Sequence, residues 1–204
     1  MIKAWVHPEY RDDPARKTLA RTFPSAKPFP HMVLHEFFSP VRIKRVREEL
    51  LKQSFAFKES DLFRFHQTAD VSTLSNKTLQ EFFQFFSSKE FCSYISTITK
   101  TKVNKADMSG FIYSSTDHLL PHDDRLEGRR IAYVVNLSQG FTRKDGGALS
   151  FFETKRNRPL RIVRSFTPAF NTLFLFKVSP KSFHQVDEVL TDKKRLSLAG
   201  WFYG

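Results

Sequence analysis

The chain predicts a mainly β fold, a sandwich or barrel with helices packed on its outside. Three observations carry that reading. From about Lys105 onward, short apolar runs recur as strand candidates: "SGFIYSS", "RRIAYVVNLS", "GALSFFE", "LRIVRSF", "NTLFLFKV", "FHQVDEV" and "RLSLAGWFY". Turn signals separate them at Asp145-Gly146-Gly147, Pro159, Pro168 and Pro180. The 204 residues are 40% hydrophobic and include 23 phenylalanines, enough apolar surface to offset the entropy of ordering one domain.

The elements follow in chain order. Residues 1–28, marked by Pro8, Pro14, Pro24 and Pro28, read as a polar extended arm, with the folded domain from Phe29. "HMVLHEFF" then reads as a short strand. In "SPVRIKRVREELLKQS", Ser39 is a plausible N-cap and Pro40 the first helical residue. Val41, Ile43, Val46, Leu50 and Leu51 give that helix an apolar face, and its other face is basic. "DLFRFHQTAD" reads as a strand, and "NKTLQEFFQFFSS" and "KEFCSYISTITK" as helices whose phenylalanines belong to the core.

Composition narrows the function. The formal charge is +12, from 33 Lys and Arg against 21 Asp and Glu, which suits an anionic partner such as nucleic acid, a ribosome or an acidic peptide, or else a plain solvated surface. Cys92 is the only cysteine, which excludes an internal disulfide and a cysteine zinc site. No apolar run reaches membrane-spanning length and the N-terminus lacks the apolar segment of a secretory signal, so a reducing, intracellular (cytoplasmic or nuclear) setting is expected, with no membrane partner.

The densest group of metal-type ligands is "PHDD". On an extended segment His122 and Asp124, two apart, face the same side, and Asp123 faces away. His184, which opens the strand "FHQVDEV", is the best remaining histidine. A His-x-Asp pair with a distant histidine is the ligand pattern of non-haem Fe(II) oxygenases, which keep open positions for substrate and O2. Such sites commonly chelate 2-oxoglutarate, whose far carboxylate needs a buried cation. Arg195 opens the last strand, its planar fork suits a carboxylate, and Ser197 shares its face. Tyr113, on the strand before His122, can donate its phenol to the same carboxylate. A charged turn or a hydrogen-bonded loop remains the alternative reading of "PHDD". His66 is poorly spaced from Asp70 for a shared ion, and His7, His31 and His35 have no spaced partner. His118 orders its loop, and Lys193 and Lys194 read as a basic turn.

"LLPHDDRLEGRRIAYVVNL", "DGGALSFF", "SFHQVDEVL" and "RLSLAGWFYG" closely resemble the catalytic domain of the ribosomal-protein prolyl 3-hydroxylases, and the resemblance runs from about Phe29 to Gly204. It implies a double-stranded β-helix (jelly-roll) core over residues 29–204. It also implies hydroxylation of a prolyl residue, in the eukaryotic members on a small-subunit ribosomal protein, with Fe(II), 2-oxoglutarate and O2. His122, Asp124 and His184 match that family's iron ligands, Arg195 its 2-oxoglutarate arginine, and Tyr113 a tyrosine assigned to the same cosubstrate. Asn136 stands where those members often have a tyrosine. Eukaryotic members continue into a second, non-catalytic β-helix domain after the "GWF" strand, where this chain stops; it is either a single-domain relative or part of a longer one. Two other readings compete: a nucleic-acid oxygenase, disfavoured because no second arginine follows Arg195, and a non-catalytic jelly-roll module that binds RNA or ribosomes.

Overall fold

A computed structural model describes all 204 residues. The elements run α1 (Ile2–Trp5), α2 (Asp13–Thr22), β1 (His31–Leu34), α3 (Pro40–Leu50), β2 (Ala56–Ser60) and β3 (Phe63–Asp70). Then come α4 (Lys77–Phe86), α5 (Lys89–Thr99), β4 (Lys105–Ala106), β5 (Ser109–Tyr113), β6 (His118–His122) and β7 (Arg129–Asn136). The chain closes with β8 (Leu149–Lys155), β9 (Arg158–Phe166), β10 (Thr172–Lys177), β11 (His184–Val186) and β12 (Arg195–Tyr203). All twelve strands join one antiparallel sheet in the order β1-β10-β7-β12-β5-β3-β6-β11-β8-β9, with β2 beside β3 and β4 beside β12. The strands neighbouring in space are distant in sequence, as in a jelly roll.

The two-residue period of the strands separates the functions of the two faces. On β12, Leu196, Leu198 and Phe202 face the helices, while Arg195, Ser197 and Trp201 face the concave side. On β10, Leu173 and Leu175 go outward, and Phe174 and Phe176 go inward. The largest apolar cluster, 31 buried residues, lies between the helices and the outer face, so the fold does not need to fill its concave side to be stable. Asn76 and Ser88 cap α4 and α5, accepting from Leu79 N at 3.1 Å and Phe91 N at 3.1 Å. Phe82, Phe85 and Phe86 are fully buried, and Phe86 stacks on Phe202 of β12 at 5.6 Å between centroids.

Residues 1–28 are not an extended arm. Asp12 accepts from Ala15 N at 2.8 Å and caps α2, with Pro14 in the first turn, where proline starts a helix instead of breaking one. Trp5 is buried against Phe82 and Phe85, and the Tyr94 hydroxyl donates to Tyr10 O at 2.9 Å, so this segment seals the helical layer. On α3 the apolar face narrows to Ile43, Val46 and Leu50, and Val41 is 80% exposed. Strand β2 has no place in the sequence reading; all five of its residues are exposed, and its ladder to β3 defines it. Phe86→Ala should cost about 3–5 kcal/mol in urea unfolding, while Leu160→Ala, at an exposed site, should stay within about 0.5 kcal/mol.

Candidate metal centre

Strands β6 and β11 pair so that His122 lies opposite His184. Both imidazoles therefore project to the concave face side by side, with ring centroids 4.2 Å apart. Asp124 joins them by a turn, not by strand alternation. The strand ends at His122, and Asp124 takes a left-handed φ of 63°, which swings its carboxylate back between the rings. Its Oδ1 lies 3.3 Å from His122 Nε2 and its Oδ2 3.4 Å from His184 Nε2. His122 and Asp124 thus do meet, but through this turn and not through the alternation of an extended segment. Asp123 turns away and accepts from Arg125 Nε at 2.7 Å.

Each imidazole is oriented by the carbonyl two residues before it. His122 Nδ1 donates to Leu120 O at 2.8 Å, and His184 Nδ1 to Ser182 O at 2.9 Å. Nε2 is thereby the ring nitrogen left to face Asp124 in each case, and the atom that can bind a metal once it carries no proton. One ligand atom from each of the three side chains lies within 4.8 Å of the others. Two nitrogens and one carboxylate oxygen, on one side of an open cavity, suit Fe(II).

The electrostatics agree. Burial would raise the Asp124 carboxyl, but the two histidines and the facing Trp201 indole outweigh it and hold the pKa at about 2. Burial, then repulsion from His122, lowers His184 to about 4, so it is neutral at physiological pH. Burial also acts to lower His122, but its hydrogen bond and attraction to Asp124 reverse this and raise it above the ordinary imidazole value.

The same cavity, about 290 Å³, is lined by Tyr113, Arg195 and Ser197 on strands β5 and β12. Arg195 lies directly opposite Tyr113 across those strands, with its guanidinium 5.1 Å from the phenol ring. Arg195 is 2% exposed. Its Nε donates to Gly147 O at 2.9 Å and an Nη to Ser197 Oγ at 3.4 Å, but no carboxylate pairs with it. Desolvation lowers its pKa and also pushes the Tyr113 phenol well up, so Tyr113 stays a donor. An unpaired cation this deep is costly unless an anion completes it. The apolar wall around it comes from Phe65, Phe111, Leu119 and Val186. Arg195 and the triad line this one chamber, so an anion paired with Arg195 would share it with His122, Asp124 and His184.

Several residues escaped the sequence reading. Gly146 and Gly147 both adopt positive φ, and Gly147 presents the carbonyl that fixes Arg195. Lys193 is not a plain basic turn: its Nζ binds Asp145 Oδ2 at 2.9 Å, a clasp that holds the Asp145-Gly146-Gly147 turn near Arg195. Arg129 lies 3.3 Å over the Trp201 ring and reaches Asp124 O at 3.4 Å, forming one rim of the cavity. These contacts rest on backbone carbonyls and ring faces, which carry no residue-type signal. Asn136 is buried, accepts from Ser138 N at 2.9 Å and does not line the cavity. His66 sits 3.6 Å from Asp117, outside the cavity lining.

The comparisons agree with this geometry. Residues 108–203 match the model of the 2OG-Fe(II) oxygenase superfamily. That segment is similar to 2OG-Fe(II) oxygenase domains. The family uses Fe(II), 2-oxoglutarate and O2, and the His122–Asp124–His184 group suits the iron. The chain is 40% identical over 181 residues to prolyl 3-hydroxylase OGFOD1 of Xenopus laevis, covering 87% of this chain and 35% of that protein. It is 38% identical over 181 residues to its Mus musculus namesake, covering 87% and 33%. The chain thus spans about a third of the length of the curated relatives it matches. In fold, it superposes on a Pseudomonas putida prolyl-4-hydroxylase with a TM-score of 0.73, at 16% identity over 91% of this chain and 98% of that one. This bears out the jelly-roll expectation. No helix is long and apolar enough to cross a membrane.

Metal binding must displace a proton from His122 more readily held than usual, whereas His184 arrives neutral. Mn(II) affinity, read by calorimetry, should therefore fall as pH drops from about 8 to about 6. Affinity flat over that range would contradict the pairing of His122 with Asp124.

Proposed function

We propose that this chain hydroxylates a prolyl residue of a protein substrate, with Fe(II), 2-oxoglutarate and O2, and that the protein is a ribosomal one. The observation that carries the oxygenase reading is the buried, unpaired Arg195 guanidinium in the cavity that also holds His122, Asp124 and His184. The prolyl target rests on the relatives' names, and the ribosomal target on the resemblance in the strand motifs. The catalytic unit is residues 29–204, with the helical first 28 residues docked on it, and an intracellular, reducing setting fits the free, buried Cys92.

His122, Asp124 and His184 would hold the iron, and Arg195, Ser197 and Tyr113 the distal carboxylate of 2-oxoglutarate. When bound, Fe(II) with 2-oxoglutarate and O2 supplies the oxidising power that converts the cosubstrate to succinate and CO2 and places one oxygen atom on carbon. The protein's part is orientation and exclusion of water. Leu120 O and Ser182 O keep both imidazoles in one tautomer, and Gly147 O aims Arg195. The phenylalanine wall keeps the dicarboxylate end dry, which strengthens its pairing with Arg195. Because Arg195 and the triad line one cavity and are each held by fixed backbone contacts, the cosubstrate would be oriented between two rigid ends.

Replacing His122 or Asp124 with alanine should abolish Fe(II)-dependent succinate formation and Mn(II) binding together. Arg195→Met should leave Mn(II) binding in place and raise the KM for 2-oxoglutarate by roughly 30-fold or more, the effect of about 2–5 kcal/mol lost from a buried charge pair. Succinate formation that survives both triad variants would refute the assignment. Intact-mass analysis of ribosomal proteins from cells with and without this gene should show a one-oxygen increment on one protein. If the increment appears only on non-ribosomal proteins, the substrate class is wrong while the chemistry stands.

A further inference from the structure

The basic charge has its most organised expression on the hairpin of β8 and β9. Every residue of β9 except Phe166 is exposed, and β9 forms one end of the sheet. Lys155, Arg156, Arg158, Arg161 and Arg164 lie on this ribbon, and only Arg161 is paired within the protein, with Glu153 at 2.8 Å. The turn is tight, with Arg156 and Asn157 both left-handed at φ 50° and 57°.

Residues three apart on a regular strand face opposite sides. Here two bulges change that. Arg158 pairs with Lys155, Arg161 with Glu153 and Arg164 with Phe151, with a register shift between each pair and the next. Lys155, Glu153 and Phe151 alternate by two, so they share one face of β8, and the three arginines share it too. Phe151 also lies opposite His184. Arg164 is therefore two strand spacings, about 10 Å, from His184 on the same concave face. Toward the body of the protein, Lys27 and Lys181 join Arg161 and Arg164 around a cleft of about 390 Å³ with Glu153 as its only acid. Because the three arginines stand opposite residues 155, 153 and 151 of β8, the row from Arg158 to Arg164 extends for about 13 Å.

We infer that this ribbon and cleft bind the phosphate backbone of a nucleic-acid strand, so that the reaction cavity opens beside a bound polyanion. The length of the row favours a chain of phosphates over a single acidic side chain, and arginine predominates, whose fork suits phosphate oxygens. The inference does not depend on the prolyl reaction, since binding is read without metal or cosubstrate.

The test compares two triple variants of the full chain by fluorescence anisotropy with a labelled single-stranded RNA of mixed sequence. K155Q/R158Q/R164Q removes three of the five positive charges of the ribbon. K17Q/K44Q/R45Q removes equal charge from exposed positions of α2 and α3 on the helical side. The ribbon variant should bind roughly tenfold to a hundredfold more weakly near 0.1 M salt, and its salt slope should drop by about 2, as for three lost phosphate contacts. The helix variant should change affinity less than about twofold, and polyglutamate of matched charge should displace the RNA poorly. Thermal melts checked for both variants should match the parent, because all six side chains are exposed. Equal losses in the two variants would show only diffuse attraction and overturn the site. Displacement by polyglutamate at the same charge concentration would overturn it in favour of an acidic protein.

Discussion

The register between β6 and β11 sets everything else in the reaction cavity. Opposing His184 to His122 across that ladder fixes two ligands to within a side chain's reach, although 62 positions separate them in the sequence. A slip of β11 by one residue would send the His184 imidazole to the outer face, away from His122. The same sheet sets Arg195 against Tyr113 across β12 and β5, so the strand ladder determines where these two groups stand in the cavity. Asp124 is the exception, placed by a single left-handed residue at the strand's end.

That arrangement accumulates unfavourable groups on the concave face: a buried guanidinium without a carboxylate, two adjacent imidazoles and a carboxylate wedged between them. Such groups cost stability in the empty protein. The offset lies on the other side of the sheet, where α1 to α5 bury an aromatic cluster around Phe82, Phe85, Phe86, Phe91 and Phe202. Structure and chemistry are thus divided between the two faces by the strand period. The first 28 residues take part in this division, since Trp5 and Phe23 belong to the sealing cluster.

Charge is divided as well. Inside the cavity it is local and geometrically fixed: Arg195 in the depth, Arg129 at the rim, and one triad. On the β8–β9 ribbon it is repeated and exposed, brought to one face by two bulges. These are different uses of arginine: Arg195 is aimed by a glycine carbonyl in a dry chamber, whereas Arg158 and Arg164 stand in solvent.

Much of this was legible in the residues. The short apolar runs and their turns gave the β architecture. His122, Asp124, His184 and Arg195 could be named because their side-chain chemistry is rare in that order. The fold corrected the reading where proline began helices in residues 1–28, and where Lys193 proved to be a clasp. What the sequence by itself determined was the inventory: which groups can bind metal or carboxylate, and which strands carry them. Only the tertiary structure decided their convergence, the carbonyls that orient them and the common face of the ribbon arginines. Those depend on cross-strand register, bulges and φ at single residues, set by contacts between segments far apart in the chain.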